Sequence, residues 1–217
     1  MRDWHFVLPL TSLNPYYWVC YNVIKLVGRI CFRLRWLHRE RMINHGPVIL
    51  AANHQSFLDP PFAGSASDRA IYFLARRTLL DGPILGWLLP KLNVIPVDSE
   101  GGKDRTALKA LIRILRAGEG TLVFPEGQRS PDGNLQPALP GLGLVIAKTL
   151  APVVPIRIFG AYDAWPIGQK WPRFRPVTVV VGEPIYFTQQ DLEPATKDLY
   201  QRLSQRVMDA IIALRID

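Results

Sequence analysis

Short apolar runs recur along the chain at 48–52, 71–74, 94–97, 121–124, 153–158 and 177–181, each of strand length. Helical stretches lie between them, at 61–64, 78–92, 104–117 and 142–150. In the third of these, Leu108, Leu111, Ile112 and Leu115 recur on one side while Arg105, Lys109, Arg113 and Arg116 take the other, the signature of a half-buried helix. A final amphipathic helix is predicted over 192–216. Strands alternating with helices imply an α/β domain with a mostly parallel central sheet flanked by helices, here over residues 47–217. No repeat or low-complexity segment interrupts it.

The first 46 residues read differently. Over a helix predicted from 16 to 37, Asn22, Lys25, Arg29 and Arg33 fall on one stripe, and Val19, Val23, Leu26, Val27, Ile30 and Leu34 fall elsewhere. Tyr16, Tyr17, Trp18, Tyr21, Phe32 and Trp36 interleave with the cations, as does Trp4 further upstream. Aromatics beside basic residues suit the boundary between headgroups and acyl chains, so 1–46 is predicted to be an amphipathic, membrane-associating segment. Residues 4–24 carry no formal charge and are about long enough to span a bilayer. Pro9 and the Asn14-Pro15 pair interrupt them, which favours a monotopic anchor over a span. No small-x-small site closes the apolar part as a cleaved signal would require.

Composition sharpens this division. The 217 residues carry a net charge of +8. Of this excess five units lie in the first 46 residues, where Arg2, Lys25, Arg29, Arg33, Arg35, Arg39 and Arg41 face only Asp3 and Glu40. A basic arm can meet nucleic acid or an anionic membrane surface; its aromatic content selects the membrane. Cys20 and Cys31, the two cysteines, would stand about 16 Å apart on one helix, beyond disulfide reach. That favours a reducing setting, hence the cytoplasmic face. No zinc-ligand spacing is present.

The candidate chemistry begins where the run 48–52 ends, in Asn53-His54-Gln55-Ser56-Phe57-Leu58-Asp59. His54 and Asp59 meet only if the chain bends between them, since five steps along a helix or a strand point side chains apart. Pro60 and Pro61 allow the bend, with Asp59 expected to cap a helix starting at Pro60. A core histidine beside a helix cap would look the same in isolation. The second cluster, Phe124-Pro125-Glu126-Gly127-Gln128-Arg129-Ser130, changes the reading, because it follows another apolar run. Two strand ends bearing ionisable groups point to one crevice at a sheet edge.

Together these segments resemble the glycerolipid acyltransferase superfamily, whose best-known members are 1-acylglycerol-3-phosphate O-acyltransferases. The likeness runs from about Pro47 to Pro184. His54 and Asp59 match its H-x4-D pair, and Phe124 to Ser130 match F-P-E-G-T-R-S with Gln128 in place of threonine. Ala75-Arg76-Arg77, Pro83, Gly86-Trp87 and Val97-Asp98 follow its second block, and Val154-Pro155-Ile156 its fourth. The resemblance implies the same α/β architecture and a general base, His54, oriented by Asp59. It further implies acceptor binding by Arg77, Glu126, Gly127, Arg129 and Ser130, with no metal or bound cofactor. The donor would be acyl-CoA or acyl carrier protein, and the acceptor a lysophospholipid, foremost 1-acylglycerol 3-phosphate. Ser56 is read as a hydrogen-bonding residue rather than a nucleophile, and the helix 78–92 with Trp87 as the wall of an acyl groove.

Two departures leave the acceptor open. Ser99 replaces the arginine that usually closes the second block, so Lys103 or Arg105 would have to supply that phosphate contact. Leu139-Pro140 stands where many members carry lysine before a glycine. Another lysophospholipid or hydroxylated lipid therefore stays possible. So do a transacylase or esterase using the same pair, and a non-catalytic lipid-binding protein. Nucleic acid is not expected as a partner.

Overall fold

The computed structural model describes residues 14–97, 105–196 and 198–216. Helix α1 (Pro15–Phe32) begins at Asn14, whose side chain accepts from the amides of Tyr16 and Tyr17, with Pro15 in the first turn where no amide hydrogen is needed. It stops at Arg33, which adopts a left-handed conformation. The predicted helix therefore ends five residues early. Arg35–Leu37 form instead an edge strand, β1, so the sheet draws part of itself from the segment read as an anchor.

The remaining elements follow the predicted alternation. They are β2 (Val48–Ala52), α2 (Asp59–Gly64), β3 (Ile71–Arg76), α3 (Pro83–Leu88), β4 (Val94–Val97), α4 (Arg105–Arg116) and β5 (Gly120–Val123). After these come α5 (Gly141–Thr149), β6 (Val153–Phe159), α6 (Ala161–Ala164), β7 (Thr178–Val181) and α7 (Leu199–Ala213). The stretch 78–92 is not one helix. Gly82-Pro83 and Pro90 break it into 3-10 turns at Arg77–Leu80 and Leu89–Leu92 on either side of α3, as expected where proline removes a donor. The last helix starts at Leu199 rather than 192, preceded by a separate 3-10 turn, Gln189–Leu192.

Seven strands lie in the order β1-β7-β6-β2-β5-β3-β4. The pairs from β6 through β4 are parallel, and β7 runs antiparallel to β6. β2 sits at the centre, every residue buried, because both faces of the sheet are covered. Its alternate side chains divide between two cores. Val48, Leu50 and Ala52 pack with Phe32, Phe62 and Ile158, while Ile49 and Ala51 pack with Leu111, Val145 and Val207. α1 and α2 thus cover one face, and α4, α5 and α7 the other.

α1 docks through its tyrosines. Tyr17 is buried and its hydroxyl accepts from the Ile71 amide at 3.1 Å. The opposite side of the helix is apolar and uncovered: Val19, Val23, Leu26, Val27 and Ile30 are all exposed, Ile30 to 70%. The basic stripe lies partly over aromatic rings, with Lys25 4.7 Å from the ring centre of Tyr21 in the same helix and Arg29 5.3 Å from that of Trp36 in β1. Among the described residues no helix is long and apolar enough to cross a membrane. The first 13 residues of the proposed anchor, Ser99 and Lys103 lie outside the described residues.

Candidate active site

β2 and β5 are neighbours in the sheet, and both release their chains at the same edge. The loop after β2 is fixed at once. Asn53 makes two bonds with Ile158 of β6: its Nδ2 donates to the carbonyl at 3.1 Å and its Oδ1 accepts from the amide at 2.7 Å. That amide side chain acts as an extra rung of sheet, so the next residue, His54, leaves the edge in a set direction.

His54 and Asp59 do meet. Nδ1 of the imidazole stands 2.9 Å from Oδ2 of Asp59. The same oxygen accepts from the amides of Gln55 at 2.5 Å and Ser56 at 2.6 Å. Asp59 therefore does not cap α2 as the sequence predicts. It is the first residue of that helix, Leu58 takes the cap position, and the carboxylate turns back to close the preceding loop. Asp59 is fully buried, whereas the His54 side chain keeps 16% of its surface open. Three contacts thus converge on one carboxylate oxygen that water cannot reach. The ring itself is clamped by Phe124, stacked on it with centroids 3.9 Å apart and planes 14° from parallel.

The loop after β5 supports the first. Glu126 is 3% exposed; its Oε1 accepts from the His54 amide at 2.7 Å and its Oε2 from the Gln136 amide at 2.8 Å. Burial pushes its pKa up from 4.5 to about 7, offset in part by those two amides. The Ser130 amide donates to the His54 carbonyl at 2.8 Å, and the Ser130 hydroxyl to Asp132 at 3.0 Å. Gly127 turns with φ +71°, a conformation for which glycine carries no Cβ penalty. Ser56 is engaged as predicted, donating to the Trp165 carbonyl at 2.8 Å and accepting from the Leu58 amide at 3.1 Å.

A cavity of about 370 Å³ opens at this edge. Of the predicted site residues, His54, Gly127 and Arg129 line it. Asp59, Glu126 and Ser130 stand behind the lining, holding those that do. Arg77 is exposed beside the rim, and Arg76 is the cation of that segment that reaches the wall. Arg129 lies with its guanidinium 3.8 Å from the centre of the Phe57 ring. Away from the ionisable groups the wall is apolar, formed by Leu74, Leu79, Leu108, Leu111, Leu122 and Leu142.

The groove wall was thus only partly foreseen. Thr78 and Leu79 belong to it, but Trp87 does not; that ring is 56% exposed, edge-on to Tyr16 and beneath Lys91. The helical periodicity of α4 marked Leu108 and Leu111 as inward-facing without saying that the space beside them is empty. Phe124 and Arg76 also escaped the sequence reading as site residues. Aromatic stacking on an imidazole has no spacing signature, and adjacent arginines differ only in which side of the strand end they take.

Comparison with known proteins supplies a family and a fold. A family model described as Acyltransferase matches residues 34–159. The 1-acyl-sn-glycerol-3-phosphate acyltransferase BAT2, chloroplastic, of Brassica napus is 31% identical over 148 residues, 67% of this chain and 43% of its own. The 1-acyl-sn-glycerol-3-phosphate acyltransferase LPAT1, chloroplastic, of Arabidopsis thaliana is 30% identical over 67% of this chain and 41% of its own. The chain thus spans less than half the length of these two relatives. The 1-acyl-sn-glycerol-3-phosphate acyltransferase of Bacillus subtilis (strain 168) is 22% identical over 89% of this chain and 96% of its own. Among solved structures, the 1-acyl-sn-glycerophosphate (LPA) acyltransferase PlsC from Thermotoga maritima shares the fold. The TM-score is 0.70 at 24% identity, over 93% of this chain and 82% of that one.

Proposed function

The chain belongs to the acyltransferase family, and from that premise we propose that it transfers a fatty acyl group onto the free hydroxyl of a lysoglycerolipid at a membrane surface. The donor is a thioester, acyl-CoA or acyl carrier protein, and the first acceptor to consider is 1-acyl-sn-glycerol 3-phosphate. The observation that carries this reading is the 2.9 Å contact of His54 Nδ1 with buried Asp59, in a ring that lines an otherwise apolar cavity.

An alcohol is scarcely ionised near neutral pH, so its attack needs a base. With Nδ1–H donated to Asp59, Nε2 is the nitrogen left to take the proton. As the alcohol oxygen adds to the thioester carbonyl, its proton passes to Nε2 and the carbonyl electrons move to oxygen. Collapse of that intermediate expels the thiolate, which takes the proton back from the imidazolium. Asp59 stabilises the imidazolium formed in between, by the charge it already carries. The thioester is activated at the outset, so no acyl-enzyme is required.

Arg129 at the wall, with Arg76 and Arg77 at the rim, offers cations for the acceptor's phosphate; guanidinium groups present forked donors suited to its oxygens. Gly127 lets the chain turn close to the acceptor. Glu126 and Ser130 act by holding the loop that carries Arg129 against the loop that carries His54. The exposed apolar side of α1, flanked by cations, serves as an interfacial anchor facing an anionic leaflet.

One observation favours a second acceptor. Leu139 lines the cavity where many members of the superfamily place a lysine near this point, which lowers the positive charge available to a bare phosphate monoester. A lysophospholipid with a larger headgroup is then the better fit. Purified protein given a labelled acyl thioester and a panel of lysolipids decides between them. Acylation of 1-acylglycerol 3-phosphate ahead of the others supports the first acceptor, and acylation of none refutes the reading.

A further inference from the structure

A loop spanning residues 166–176 joins α6 to β7 and stands outside everything described so far. Trp171 and Phe174 are each 71% exposed and Ile167 is 45% exposed. Lys170, Arg173 and Arg175 lie among them, all exposed, and no acidic residue occurs from Ala164 to Gly182. Among the described residues no ion pair engages these three cations. The loop is nonetheless ordered at its root: the Arg173 amide donates to the Ala164 carbonyl at 2.7 Å, and Trp165 Nε1 to the Gln169 carbonyl at 2.9 Å.

Two contacts place it. Phe174 meets Phe32 edge-on at 5.7 Å, so the loop abuts the C-terminal end of α1. Trp165, at its root, packs on Phe57 at 5.3 Å and accepts the Ser56 hydroxyl hydrogen. Phe57 in turn lies under Arg129 and lines the cavity. The loop therefore links the exposed side of the protein near α1 to the mouth of the site.

Single exposed aromatics are ordinary, but two large rings and an isoleucine interleaved with three cations that no ion pair engages among the described residues are not explained by packing. The arrangement matches an interface with an anionic lipid bilayer, where rings settle at the boundary and cations meet headgroups. We propose that loop 166–176 is a second lipid-contacting element, which together with α1 sets the mouth of the cavity against the bilayer. The inference rests on the membrane reading of α1 and extends it. With two points of contact the molecule is oriented as well as bound, so a lipid acceptor enters without leaving the leaflet.

Flotation of the full chain with vesicles of phosphatidylcholine and phosphatidylglycerol tests it. Three variants are compared with the parent: Trp171→Ala, Lys170→Glu with Arg173→Glu, and Leu26→Asp on α1 as the control. Each side chain is exposed, and circular dichroism confirms that the fold is retained. The expected result is about tenfold or greater loss of binding for the charge reversal. A clear loss is also expected for Trp171→Ala, while transfer to a soluble short-chain lysolipid stays unchanged. Binding within twofold of the parent for both loop variants overturns the inference; the control then shows separately whether α1 anchors. Should the loop variants instead change the sedimentation mass without lipid, the patch is a contact between copies and the lipid assignment is wrong.

Discussion

The loops after β2 and β5 leave adjacent strands at one sheet edge, and each buries a carboxylate that accepts backbone amides, yet the two acids differ in what else they hold. Asp59 adds to its amides the Nδ1–H of an imidazole, a donor that can change its charge. Glu126 receives only amides, one from His54 itself and one from Gln136. The first acid contacts the ring; the second holds the chain that bears it. Both are buried carboxylates, so what separates them is what is donated to each oxygen.

Substitutions at these positions break or sharpen that contrast. In the proposed mechanism, Asp59→Asn removes the charge that steadies the imidazolium while keeping the shape. Turnover is expected to fall by about 10²–10⁴ with little change in acceptor KM, measured as steady-state acyl transfer. Arg129→Ala acts on binding instead: acceptor KM should rise about 10–100-fold, as when a charge-assisted hydrogen bond is lost, with kcat less affected. An unchanged KM would remove Arg129 from the phosphate role.

Glu126→Gln should show chiefly as lost stability, on the order of 1–3 kcal/mol, since one amide is left facing an NH₂. Its pH dependence carries a definite sign. The folded pKa, about 7, lies above the ordinary 4.5, so the native state holds the extra proton between those values. Stability contributed by Glu126 is complete below the lower value and is lost as pH rises through the upper one. The gap in denaturant midpoint between parent and Glu126→Gln should therefore narrow from about pH 5 to pH 8. A gap that widens would mean the carboxylate is favoured over the acid there. The smallest effect is expected of Leu139→Lys, which should shift acceptor preference towards a phosphate monoester by a few-fold, read in a two-acceptor competition.

Much of this was legible in the residues. The central strands carry unbroken apolar runs because they are covered on both faces, and such runs are visible without coordinates. The pairing of His54 with Asp59 was likewise announced by a bend that two prolines permit. β1 was missed because Arg35-Trp36-Leu37 has three residues and continues a helical pattern; only pairing with β7 makes it a strand. The contacts of Glu126 were missed for a different reason. Its partners are backbone amides, and no side chain in the sequence marks them. The aromatic and basic residues of loop 166–176 were visible too, but nothing in one dimension shows that they remain uncovered.

The measurement closest to the central claim is acyl transfer by His54→Ala, followed as thiol release from the thioester in the presence of acceptor, with folding and vesicle binding recorded on the same sample. The expected result is a folded, vesicle-bound protein whose turnover has fallen to background. Turnover near that of the parent would show that the proton leaves the alcohol by another route, and the mechanism built on His54 and Asp59 would be wrong.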